Sequence, residues 1–169
     1  MKMEIQFRNL NNDEIDEAYR IVSERTEWLN SKKIRQWIAV LPKDILFQRQ
    51  NKNENYGLFV DSSMAVFLSL VKEINEDWID VVGNAEEYWL YTLCSAKAYS
   101  GNSYGVYAMN KVIEKMKDLK IKSLYLDCVS GNGFLENFYN NLGFATISKK
   151  EFSYQGVGIF DMVLMKHEI

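Results

Sequence analysis

The sequence predicts an α+β fold, a mixed sheet with helices on both faces, in the order β-α-α-β-β-β-α-β-α-β-β. Three observations carry this. Met109, Val112, Ile113, Met116 and Leu119 repeat at the roughly 3.6-residue period of an amphipathic helix. Two apolar runs, Glu87–Ser95 and Ile121–Val129, flank that helix; Glu87–Ser95 is bulky and apolar on both faces, as a strand covered on both sides must be. Strand, helix and strand in that order form a right-handed β-α-β unit, with further strands in pairs before and after it.

The elements follow in chain order. Glu4–Leu10 alternates apolar residues at Ile5 and Phe7 and reads as a strand. Asn11 precedes Glu14 by three positions, a capping-box spacing, and Ile15, Tyr19 and Val22 then keep helical spacing. A second helical stretch is expected near Ile34–Val40, with Pro42 and Asp44 opening a short helical turn after it. Tyr56–Val60 and Met64–Val71 form a hairpin joined at Asp61-Ser62-Ser63. Asn75–Val82 carries Trp78, Ile79, Val81 and Val82 without a period that assigns it to either class. Phe134, Leu135, Phe138, Tyr139 and Leu142 make a helical stripe closed by Gly143 as its C′ residue. Phe144–Ser153 and Ile159–Lys166 close the chain as a hairpin around Gln155-Gly156.

At 169 residues the chain suits one compact domain, residues 1–169, since hydrophobic cores split only above roughly 250 residues. A hydrophobic content of 47% excludes intrinsic disorder, and one Pro with nine Gly excludes a low-complexity chain. Twenty Lys and Arg against 23 Asp and Glu leave a net charge of −3, with no clustered positive excess for a nucleic-acid backbone. The start, MKMEIQFRNL, has no apolar signal core, and no run approaches the roughly 18 apolar residues of a membrane span. Cys94 and Cys128 lie 34 positions apart, outside CxxC and zinc spacings, and the single histidine, His167, stands two residues from the C-terminus. The expected protein is cytoplasmic, reduced and metal-free, without a nucleic-acid or membrane partner.

Two stretches carry candidate chemistry. Tyr99-Ser100-Gly101-Asn102-Ser103-Tyr104-Gly105 lies between the long strand and the strong helix. Glycines there let the backbone approach a ligand, and the free N–H groups of the helix start suit a pyrophosphate. An ordinary strand-to-helix turn explains two glycines equally well, and the spacing is neither GxGxxG nor GxxxxGK[ST]. The second stretch is Asn132 with Tyr139 and Asn141-Leu142-Gly143-Phe144. A phenol at a helix face near a strand end can protonate a leaving group, though Tyr139 also fits the apolar stripe.

Taken together in one β-α-β-α frame, these stretches resemble the GNAT family of acyl-CoA-dependent N-acetyltransferases. YSGNSYG is similar to the family's R/Q-x-x-G-x-G/A acetyl-CoA loop. Asn132–Phe144, NGFLENFYNNLGF, is similar to its N-x-x-A-x-x-x-Y-x-x-x-G-F segment, matching at Asn132, Tyr139, Gly143 and Phe144. The chain departs at Ser100, where the family prefers Arg or Gln, at Ser103, where it prefers Gly, and at Leu135, where a small residue is usual.

The resemblance implies an acyl-CoA N-acyltransferase fold and direct acetyl transfer from acetyl-CoA to a primary amine in a ternary complex. In that reading the backbone at Leu93, Cys94 and Ser95 pairs with the pantetheine arm and polarises the thioester carbonyl. The pyrophosphate rests on Ser100, Gly101, Asn102, Ser103, Tyr104 and Gly105, with Asn132 beside it. Tyr139 protonates the departing thiolate, and Glu87 is the expected base, although Glu86 is as polar. Trp28, Trp37 and Trp89, with Tyr19, are expected walls of the amine pocket, while large aromatics at such spacing are as readily core residues. The acceptor is a small molecule or a peptide amine, and a homodimer fits the resemblance. The substituted loop keeps a second reading open, a non-catalytic module that senses acyl-CoA or another ligand.

Overall fold

A computed structural model describes residues 2–37, 41–131 and 133–169. Its strands are β1 (Ile5–Asn9), β2 (Asn55–Val60), β3 (Ser63–Glu73), β4 (Glu87–Ser95), β5 (Ser123–Val129), β6 (Ala145–Tyr154) and β7 (Gly158–Glu168). Its helices are α1 (Ile15–Ser31), α2 (Lys43–Asn51), α3 (Ile79–Val82), α4 (Tyr104–Asp118) and α5 (Gly133–Asn141). All strands join one sheet in the order β1-β2-β3-β4-β5-β7-β6, and only β4 and β5 run parallel.

The mixed α+β sheet expected from the pattern is what the chain forms. On one face α4 buries Ala108, Met109, Val112 and Met116 against Leu58, Leu68, Leu124 and Leu126. The same cluster takes in Leu135 and Tyr139 of α5. On the other face α1 and α2 bury Ile15, Ile21 and Leu46 against Phe59, Phe67 and Cys94. Farther along that face Trp78, Trp89, Tyr125 and Leu164 form a third cluster, capped by α3 and the 3₁₀ turn Glu76–Trp78. Each fully buried large apolar side chain contributes about 1.5–3 kcal/mol.

The second helix is a correction. Residues 34–37 are not helical, and residues 38–40 lie outside the described residues. The helix instead runs from Lys43, directly after Pro42, whose φ of −61° sits ahead of a first turn bearing Asp44. It buries only Leu46 and Gln50, so KDILFQRQN carries almost no apolar stripe to announce it. Gln50 is held by polar contacts instead: its Nε2 donates to the Leu10 carbonyl at 2.8 Å.

The β2–β3 turn falls at Asp61 and Ser62, with φ of 48° and 71°, the two positive values of a type I′ hairpin turn. Gly143, at φ 100°, ends α5 as expected, and a Cβ there would stand 2.8 Å from His167 Nε2.

Candidate active site

β4 and β5 are joined by only two residue pairs, Tyr88 with Leu124 and Trp89 with Tyr125. Beyond them the strands part, while β3 still holds β4 to Ser95 and β7 holds β5 to Val129. The inner backbone edges from Leu90 and Leu126 onward therefore face an opening in the sheet instead of a neighbouring strand. Polar backbone groups in such a place need a partner, and an extended amide-bearing ligand can supply one.

A bulge in β4 shapes this opening. Phe67 pairs with Cys94 and Ser69 with Tyr91, so Thr92 and Leu93 together face the single residue Leu68. Thr92 has a φ of 58°, an unusual left-handed conformation for a β-branched residue. Arg49 of α2 tethers it, donating from Nη1 to Thr92 Oγ1 at 3.2 Å and to Ser69 Oγ at 3.3 Å.

Two clefts meet at the opening. The first, of about 370 Å³, lies between the end of β4, the loop into α4, and α5. It gathers Leu93, Cys94, Ser95, Ser100, Gly101, Ser103, Tyr104 and Gly105 on one side and Leu135, Phe138 and Tyr139 on the other. Gly101 has a φ of 80° and Ser103 one of 60°, placing Ser103 as the residue before the first turn of α4. A Cβ on Gly105 would stand 3.7 Å from Phe138 and 3.9 Å from Ser95 Oγ, in the space these two line. Arg25 of α1 also lines this cleft, donating from Nη2 to Ser100 Oγ at 3.0 Å and to the Ser95 carbonyl at 3.4 Å. A cation, a helix start and glycine-opened backbone thus converge, which fits an anionic phosphate group.

The second cleft, of about 420 Å³, continues through the opening toward the α1 face. Trp37, Tyr91, Thr92, Asp127 and Tyr154 line it, and Gln36, Leu93, Leu135 and Tyr139 belong to both clefts. Tyr139 is buried, with Phe138 and Phe144 edge-on at 5.1 and 5.6 Å. Burial, with the Cys128 and Cys94 thiols nearby, holds its phenol above the ordinary tyrosine range, so it stays protonated. Burial pushes the Cys94 thiol up to about 12 against the pull of Arg25, and Cys128 likewise to about 12, so neither offers a thiolate nucleophile. Asp127 accepts a bond from Trp78 Nε1 at 2.8 Å. Burial raises its carboxyl above the usual range, the Trp78 bond lowers it, and Asp77 and Glu73 raise it further.

The remaining expected site residues separate. Asn102 is exposed and lines neither cleft, and Asn132 lies outside the described residues. Glu87 pairs with Glu73 at the far end of β4, six residues before Leu93 and roughly 20 Å away along an extended strand. Trp37 lines the second cleft. Trp28 is half-exposed on α1, with Arg25 5.2 Å over its ring, and lines neither cleft. Trp89 is fully enclosed, stacked on Tyr125 at 5.2 Å, because its side of β4 is roofed by Trp78. No local motif marks Arg25 or Gln36, and Asp127 stands about 20 residues beyond the loop without the glycine pattern that would give such a spacing weight.

The model of the acetyltransferase (GNAT) family matches residues 26–144. The chain belongs to the GNAT acetyltransferase family. The matched region of this GNAT chain runs from within α1 to Phe144 and contains β4, the loop, α4, β5 and α5.

Solved structures agree at the level of fold. A GNAT-family acetyltransferase from Listeria monocytogenes 4b F2365 superposes with a TM-score of 0.81 at 17% identity, covering 98% of this chain and 95% of that one. The ribosomal-protein-S18-alanine N-acetyltransferase from Escherichia coli gives 0.73 at 16% identity, covering 98% and 94%. The NatC complex bound to Gag peptide and CoA gives 0.73 at 12% identity, covering 98% and 99%. No curated protein matches the sequence. Among the described residues no group of three or more His, Cys, Asp and Glu could hold a metal, and no helix is long and apolar enough to cross a membrane.

Proposed function

We propose that this GNAT chain transfers the acetyl group of acetyl-CoA to a primary amine by direct attack in a ternary complex. One observation carries the reading: Leu93, Leu135 and Tyr139 line two clefts that meet where β4 and β5 part. A donor held in one cleft and an acceptor in the other would then share a wall, the arrangement that direct transfer needs.

Bound acetyl-CoA supplies the activated acetyl thioester. The chain's own residues do the rest. Backbone groups of Leu93–Ser95, on the edge of β4 that has parted from β5, hold an extended amide arm and present an N–H to the carbonyl oxygen, where negative charge develops. The Ser100–Gly105 loop and the start of α4 hold phosphate, with Arg25 as the cation above them. Tyr139, protonated through burial, gives its proton to the leaving sulfur.

Acetyl-CoA is expected to raise the melting temperature of the protein, as any ligand of the native state does. Release of CoA thiol over an amine panel then tests transfer. No melting shift at millimolar acetyl-CoA overturns the reading. The left-handed Ser103 and the Arg25-bound Ser100 favour a second reading, an acyl-CoA sensor, which a melting shift without CoA release from any amine would select.

A further inference from the structure

The second cleft has a charge pattern that the transfer reading leaves unused. Asp127 is the only charged side chain among its described lining residues. None of the ion pairs among the described residues involves it. The groups that act on it electrostatically are of its own sign, Asp77 and Glu73. Lys150 is engaged elsewhere, with Asp80, the Asp77 carbonyl at 2.9 Å and the Trp78 ring at 4.9 Å. Tyr91 donates its own O–H to Glu73 at 2.6 Å. A largely buried carboxylate without a cation is costly, and a cationic ligand would compensate it.

The walls narrow the ligand further. Trp37, Tyr91 and Tyr154 give the cleft aromatic faces, which favour a cation and apolar carbon together. No Lys, Arg or His is among the described lining residues, so a carboxylate on the ligand would find no counter-ion there.

We propose that this cleft binds the ammonium group of an acceptor with an apolar alkyl or aryl skeleton and no carboxylate beside the nitrogen, with Asp127 as counter-ion and proton acceptor. The proton-acceptor half rests on the transfer reading; the binding half does not. The ammonium gives one proton to the Asp127 carboxylate, and the freed lone pair forms the N–C bond as the C–S bond breaks. Of the two protons that the nitrogen sheds, one ends on the thiol by way of Tyr139. The other leaves Asp127 for solvent.

The test compares phenethylamine with phenylalanine and pentylamine with norleucine, pairs that differ by one carboxylate. Like-charge juxtaposition should give each amine an advantage of at least about 100-fold in kcat/KM, read as released CoA thiol. Equal values within each pair overturn the proposal while leaving acetyl transfer intact. Phenethylammonium binding, measured by calorimetry without acetyl-CoA, is read on the native protein and on Asp127→Asn, which keeps an oxygen for Trp78. At least about 10-fold weaker binding in the variant supports the site, even if no amine releases CoA, in which case the transfer reading alone falls. Unchanged binding in the variant, or none in the native protein, overturns it. Tyr154→Leu serves as a second variant, expected to weaken the ammonium and leave acetyl-CoA binding alone.

Discussion

Arg49 Nη1 lies 3.2 Å from Thr92 Oγ1, so a partly buried guanidinium on α2 is tied to the residue where β4 bulges and turns away from β5. The left-handed φ of 58° costs Thr92 about 1–2 kcal/mol, and the surrounding contacts must hold it there. Arg49→Met removes bonds to Thr92 and Ser69 while keeping much of the apolar stem. It should cost about 1–3 kcal/mol in urea unfolding and raise the dissociation constant of acetyl-CoA, because the Leu93 backbone loses its fixed aim. Thr92→Gly adopts the same φ without strain and should cost less than Arg49→Met.

Tyr139→Phe should lower kcat by about 10²- to 10⁴-fold and leave acetyl-CoA binding unchanged. The ring keeps its edge contacts with Phe138 and Phe144, so packing is preserved and only the proton is lost. Calorimetric titration of acetyl-CoA beside a thiol-release assay separates the two effects. Unchanged turnover would assign Tyr139 to the core alone.

What could be read from the chain was local. Glu87–Ser95, the stripe from Met109 to Met116, the Asp61-Ser62 turn and the Gly143 stop each follow from a period or a turn residue within a dozen positions. The bulge at Thr92 was not legible, because threonine disfavours its conformation and the side chain tied to it is Arg49, 43 positions earlier and bonded also to Ser69. Trp28, Trp37 and Trp89 look alike in sequence. One lies half-exposed, one lines a cleft and one is walled in by Trp78 and Tyr125, a difference set by elements far along the chain. Asp127 sits in an apolar strand without a motif, and only the parting of β4 from β5 opens it to a cleft.

Asp127→Asn should raise stability at neutral pH. A carboxyl raised by folding binds more protons in the native than in the unfolded state, so stability falls as pH rises from its usual range, about 3.9, through the folded value. Asparagine carries no such penalty and still accepts the Trp78 N–H. Melting temperatures of the two proteins should therefore diverge with rising pH and converge in acid. Parallel curves would mean that the carboxylate is already compensated.

Ser103→Gly and Gly105→Ala test the phosphate loop from opposite directions. Ser103 holds a φ of 60° and its side chain makes no capping bond, so glycine loses nothing there and relieves about 1–2 kcal/mol of backbone strain. The protein should melt higher and bind acetyl-CoA at least as tightly. Gly105 lies inside α4, where alanine is the better helix former by up to about 1 kcal/mol, so Gly105→Ala should not destabilise the fold. Its new Cβ would nevertheless stand between Phe138 and Ser95 in the first cleft and should weaken acetyl-CoA binding. Melting curves with and without acetyl-CoA read both effects on each variant. Equal affinity in Gly105→Ala and the native protein would move the phosphates away from this loop.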